Sequence, residues 1–345
     1  MKRIFSLRAA LALLVLLPLS ARAGFEWGGC RVPDHSQNLR LAIGAVTEFE
    51  GMVSETTRRY YDVAGRPESQ ADAESYGTSD FNMDGPYGAI GLSCDALWGF
   101  IGFRLDTLFL SPSVSTTAKR DYYIEVGDDI EYQGNSYDQM KIPAGTDFDA
   151  ELTGNMTELD LSLVPFGFES ADFLRINPSL DFGVLFFGGS YEIDAGEPTG
   201  VVQYQSPPED FVVGGKSGGF LGLALPQWGP GIDLRIGAAE GVQASLQAHY
   251  LFFNYDGSSL YLTTADHREK NVDVEHRNLR IRGQIEFPMR RGALNVGLQV
   301  QMIETEGSVT SQETDPEEIL AARERFDKDF TFTLTSVLAT IGITF

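Results

Sequence analysis

From Leu39 to the last residue, apolar side chains recur at every second position in stretches of about ten residues. No other feature constrains the fold of this chain as tightly. A period of two puts successive side chains on opposite faces of a strand. The pattern runs to the final residue. Val337, Ala339, Ile341, Ile343 and Phe345 share one face, with Ser336, Leu338, Thr340, Gly342 and Thr344 on the other. Ten such segments can be read: 39–50, 86–94, 97–110, 157–168, 173–187, 231–238, 242–253, 276–287, 293–302 and 330–345. In 276–287, for example, Leu279, Ile281, Ile285 and Phe287 oppose Asn278, Arg280, Arg282, Gln284 and Glu286.

The N-terminus sets the compartment. Lys2, Arg3 and Arg8 open the chain, Ala9–Leu19 is apolar, and Ala21-Arg22-Ala23 has the small-residue form of a cleavage site. This reads as a secretory signal peptide over 1–23, cut after Ala23. Residues 24–38 then form a lead-in, and 39–345 the body of the fold. No apolar run of about 18 residues follows, so a spanning helix is not expected. The exported chain is either soluble, or it crosses a membrane as strands. The latter requires a closed barrel, because hydrocarbon offers backbone groups no partners. The formal charge of −23 becomes −27 once the four basic residues of 1–23 are removed. That balance argues against a nucleic-acid partner, since phosphate binding rests on Lys and Arg.

A soluble β-sandwich would alternate in the same way. Two observations favour the barrel. Charged residues occupy mid-strand positions on the polar face: Arg104, Asp106, Arg175, Asp181, Asp233, Arg235, Arg280, Arg282 and Glu286. In a barrel they fill the lumen and pair with one another. The connections also alternate in length. Asp95-Ala96, 169–172, 239–241 and 288–292 are short, whereas 51–85, 111–156, 188–230, 254–275 and 303–329 are long. Tight turns on one side and long loops on the other are the habit of transmembrane barrels. Residues 199–230, broken by Pro207, Pro208, Pro226 and Pro230, read as a folded external loop. A hairpin from that loop entering the wall would raise the strand number from ten to twelve.

With the signal peptide, the alternating strands, the loop parity and the ending Ile341-Gly-Ile-Thr-Phe345, the chain resembles the outer-membrane β-barrel proteins of Gram-negative bacteria. The resemblance is at class level and covers the whole mature chain. It implies a closed antiparallel barrel in the outer membrane, surrounded by lipid and lipopolysaccharide. It also implies that Phe345 is part of the signal read by the barrel assembly machinery. Aromatic girdles are expected, with Phe49, Phe109, Phe186, Tyr250 and Phe252 near the outer strand ends. Phe168, Phe287 and Phe345 should lie near the periplasmic ends.

Cys30 and Cys94 in an exported chain allow a disulfide tying the lead-in to the barrel floor. Lipidation of Cys30 is disfavoured by Trp27 and by the distance to the apolar run. Asp147, Asp149, Glu151 and Glu158 follow calcium-loop spacing, but Leu152 stands where that loop needs Gly, so a solvated acidic loop is expected and no metal site. Asp315, Pro316 and Glu318 predict a short capped helix over 315–326. Four histidines occur, His35, His249, His267 and His276. Outer-membrane proteases of the omptin type use an Asp-His pair with an Asp pair at the rim. Asp266-His267 and His276 supply no matching acidic pair, and no histidine lies on the lipid face as a lipid A deacylase requires. The expectation is a barrel that is not an enzyme, carries no cofactor and works through acidic external loops. The alternatives are a narrow channel lined by the charged set and a rim hydrolase using His267 or His276. The sequence leaves the oligomeric state open.

Overall fold

The computed structural model describes residues 26–27, 30–31, 36–61, 67–170, 173–204, 209–238, 241–258, 268–313 and 325–345. The expected signal peptide and all but the last two residues of the expected 315–326 helix lie outside them. Among the described residues ten strands form one closed antiparallel wall. They are β1 (Ser36–Glu50), β2 (Tyr87–Trp98), β3 (Ile101–Leu110), β4 (Asp147–Leu163) and β5 (Leu174–Asp194). These are followed by β6 (Lys216–Ile236), β7 (Gln243–Ser258), β8 (Arg268–Pro288), β9 (Ala293–Glu313) and β10 (Arg325–Thr344). Each pairs with the next in sequence. β10 closes the ring on β1 through Val337↔Ala45, Ile341↔Leu41 and Ile343↔Leu39. The Phe345 N–H donates to the Gln37 carbonyl at 2.9 Å, so the pairing is used to the last residue.

The apolar faces look outward. Leu41, Ile43, Ile90, Leu161, Phe182, Ile232, Leu246, Ile285, Leu298 and Ile341 are all exposed, Leu298 to 60%, while the lumen-facing Arg282 is 1% exposed. A soluble fold buries leucine and solvates arginine. The inversion, repeated around a closed ring, gives an outer-membrane β-barrel with lipid outside and a polar core inside. Phe109, Phe186, Trp228 and Tyr250 mark the upper edge of the belt, and Phe100, Phe168, Phe287 and Phe345 the lower edge.

Four expectations are corrected. Phe49 belongs to no girdle. A bulge where Thr335 pairs with Glu48 but Ser336 with Val46 reverses the parity of β1, and Phe49 turns into the lumen, fully buried. Asp95-Ala96 is not a turn. The β2–β3 ladder continues to Trp98↔Ile101, and Gly99, at φ +61°, supplies the left-handed residue of the actual turn. Residues 216–230 are not an external loop but the first two-thirds of β6, and the wall keeps ten strands. The long loops are shorter than expected because β5, β6, β8 and β9 each run for 21 residues. About 9–11 tilted residues suffice to cross the bilayer, so these strands project well beyond it.

The prolines of β6 are accommodated on one side only. In an antiparallel pair a residue directs its N–H and C=O toward the same neighbour. The β5–β6 ladder passes without a break through Val184↔Pro226 and Leu180↔Pro230. Both imide nitrogens therefore point at β7. The β6–β7 ladder is the one that suffers, skipping residues 229–230 and ending at Trp228↔Phe252 among the described residues. The sequence rule that confines proline to edges holds, applied to half a strand. At this fork the rings of Trp228 and Phe252 lie 4.3 Å apart.

Outside the membrane the loops form a cap. Met52–Tyr61 pairs with Pro67–Gly77, and Tyr122–Tyr132 with Asn135–Ile142. The latter hairpin joins Gly200–Tyr204 and Glu209–Val213 in a four-stranded sheet through Met140↔Val212.

Candidate functional site

The lumen is filled in two layers. The lower, from the periplasmic end to mid-height, is ionic. Arg280 donates from Nη1 to Asp106 and to Glu158, both at 2.8 Å, and from Nη2 to Asp160 at 2.9 Å. Arg282 reaches Asp106 at 3.0 Å, Asp95 at 3.3 Å and Ser93 at 2.9 Å. Arg40 pairs with Asp95 and donates to Gln284 at 3.0 Å, and Gln284 donates to Glu286 at 2.6 Å. Gln227, Asn278 and Gln301 donate to the carboxylates of Glu158 and Asp160 from above. Charges this deep in a low-dielectric interior persist only when paired, and the strands supply both signs from opposite sides of the ring.

Two histidines complete this layer. Arg104 Nη2 lies 2.7 Å from His249 Nε2. A guanidinium can only donate, so Nε2 accepts. The imidazole is then neutral, with Nδ1–H donating to Asp181 at 2.5 Å. Gly231 makes room for this pair, since a Cβ there would collide with His249 Nδ1 and Asp181 Oδ2. His276 bridges Thr305 at 2.9 Å and Gln227 at 3.1 Å.

The upper layer is apolar. Phe49, Phe187 and Phe332 meet with ring centroids 5.2–5.7 Å apart. Leu110, Leu152, Leu185, Ile303 and Leu334, all inward, continue the cluster. It runs into the cap through Tyr76, Phe81, Tyr122 and Phe148, whose rings lie 5.4–6.2 Å apart. Arg120 covers Tyr76 and Tyr122 at 5.3 and 5.7 Å. In the cap, Lys141 and Asp121 pair at 2.6 Å. That hydrogen bond holds the Asp121 carboxyl below its ordinary range and Lys141 above its own.

Of the charged set expected in the lumen, Arg104, Asp106, Asp181, Arg280, Arg282 and Glu286 are buried there. Asp233 and Arg235 pair at 3.2 Å and Arg175 with Glu169 at 3.2 Å, all near the periplasmic mouth and partly exposed. Arg40, Asp95, Glu158, Asp160, His249 and His276 belong to the lumen although sequence reasoning did not put them in the set. Glu158 and Asp160 carried a usable signal: two carboxylates at i and i+2 on the polar face, in a segment with no cation of its own.

The calcium-like spacing does not gather its residues. Asp147, Asp149 and Glu151 point outward along β4, where Asp149 accepts from Ser115 at 2.5 Å and Asp147 from Thr117 at 2.6 Å. Glu158, of opposite parity, is buried in the lumen. The Cys30–Cys94 bridge is not formed, and Cys94 is a buried free thiol. Its strand position faces outward between Leu39 and Leu105, whereas the Cys30 backbone pairs with Phe168 beside β5, around the ring. His35 and His267 lie outside the described residues.

No protein-family model and no curated protein matches the chain. Among solved structures it is similar to the outer membrane protease OmpT from Escherichia coli, at 10% identity and a TM-score of 0.37, covering 90% of this chain and 96% of that one. It is also similar to a FadL homologue from Pseudomonas aeruginosa (8% identity, TM-score 0.22, 90% of each chain). A third is the toluene transporter TodX from P. putida (11%, 0.19, 90% of each). Scores this low bear on neither fold nor activity, and the barrel stands on its own closed ladder and lipid belt.

Proposed function

We propose that this protein is a sealed outer-membrane barrel whose working part is the extracellular cap. The barrel is a non-conducting pedestal that holds the cap above the lipopolysaccharide surface for contact with a partner. The observation that carries this reading is the stacking of an apolar plug on an ionic network inside one lumen. A channel needs a continuous hydrated path. Here Phe49, Phe187 and Phe332 close the upper half, and Arg280 and Arg282 below are committed to carboxylates. The acidic exterior of the cap and projecting strands, including Asp129, Glu131, Asp147, Asp149 and Asp210, favours basic partners or divalent-ion bridges to lipopolysaccharide.

The reading also takes the protein to be no enzyme. What supports this is that His249 and His276 are buried and hydrogen-bonded within the lumen, away from the rim where a substrate would arrive. Planar-bilayer recording of refolded protein tests the central point. The expected outcome is no conductance steps, and regular steps would restore the channel.

A further inference from the structure

We propose that the floor of the lumen binds a small monovalent anion presented from the periplasm. A cavity of about 60 Å³ lies at the periplasmic ends of the first strands, among residues such as Ser36, Leu97 and Val164. It has room for about two water-sized groups, which fits a halide or a formate-sized carboxylate with one water.

The chemistry of the lining favours an anion. Arg104, Ser162, Ser179, Asn177, Asp233 and Arg235 face the cavity. Arg104 is 94% buried, yet its Nε and Nη1 have no hydrogen-bond partner. Asp160 stands 3.8 Å from Nη1, too far for a bond, and Nη2 is spent on His249. Leaving the donors of a buried guanidinium unused is costly. The carboxylates lining the cavity are already neutralised, Asp95 by Arg40 and Arg282 and Asp233 by Arg235. Arg104 is thus a buried cation here with donors to spare, and the neighbouring Ser179 hydroxyl and Asn177 amide add neutral ones. Asp233 Oδ1, an acceptor without a donor, suits the water that accompanies the ion.

The site is read by ³⁵Cl NMR on the full chain refolded in detergent. Wild type should broaden the chloride line, and added formate should reverse the broadening by competition. Gluconate at equal ionic strength, too large for the cavity, should not. Arg104→Met should abolish the excess width. Ser179→Leu, which fills the cavity while leaving Arg104 in place, should abolish it too and covers the case in which Arg104→Met fails to fold. No excess broadening in wild type, unchanged broadening in a folded variant, or equal competition by gluconate would overturn the proposal. The bilayer recording is independent of this result, so the sealed lumen and the anion site fail separately.

Discussion

Replacing Arg280 with Met separates a packed ionic core from a hydrated channel lining. Arg280 is 2% exposed and makes three short charge-assisted bonds to Asp106, Glu158 and Asp160. Bonds to charged groups contribute about 1.5–3 kcal/mol each, so the gross loss is several kcal/mol. The desolvation of four buried charges offsets part of it. Removing one partner of a buried ionic cluster costs about 3–5 kcal/mol, because the others are left uncompensated. At about 4 kcal/mol the folded-to-unfolded ratio falls by roughly a thousandfold.

The assay is urea unfolding of refolded protein in detergent, followed by tryptophan fluorescence. Two further variants fix the interpretation. Adding Glu158→Gln and Asp160→Asn to Arg280→Met removes most of the stranded charge and should recover a large part of the loss, a coupling of about 1–3 kcal/mol. Arg175→Met acts at the partly exposed mouth pair with Glu169 and should cost less than about 1 kcal/mol. A cost for Arg280→Met below about 1 kcal/mol would mean that water already solvates those carboxylates. Conductance steps with altered ion selectivity would mean the same. Either result refutes the filled lumen.

Truncating both Phe187 and Phe332 to Ala opens the apolar layer; each should cost about 3–5 kcal/mol, and bilayer recordings should then show brief openings that wild type lacks. Gly231→Ala drives a methyl into the His249–Asp181 pair and should destabilise by about 1–3 kcal/mol through overpacking, seen as a lower urea midpoint. Cys94 should resist maleimide in the folded protein and react only after unfolding, with gel mobility unchanged by reductant. Pro230→Val restores an N–H toward β7 and should slow amide exchange around Tyr250 and Leu251, while leaving the overall fold unchanged.

The wall was legible in the sequence because lipid on one face and charge on the other force a strict period of two. The departures each have a local cause that the period cannot express. Phe49 fits the outward parity, and only the bulge in β1 itself, at Thr47, reverses it. Pro226 and Pro230 argue against a central strand, and the argument fails because β6 needs its ladder on one side only at that height. Asp95-Ala96 reads as a turn, yet Asp95 stays in the ladder and turns into the lumen, where it bridges Arg40 and Arg282.

The plug was hidden for a different reason. Alternation disappears when the inner face becomes apolar as well, and Leu108-Phe109-Leu110 and Leu185-Phe186-Phe187 are two such places. Three consecutive apolar residues in a barrel strand mean that the lumen at that height is greasy too. Read this way, the same runs that blur the strand signal mark the level at which water is excluded. The order of the layers follows from it. Charges placed above the plug would face solvent and be screened. Placed below it, in a lumen closed from outside, they hold one another by short bonds at low dielectric. A ring of paired charges is compatible with a channel or with a core. Under the proposed sealed-barrel reading, paired charges beneath the aromatic layer are reached from the periplasm alone, and the bilayer recording tests that consequence.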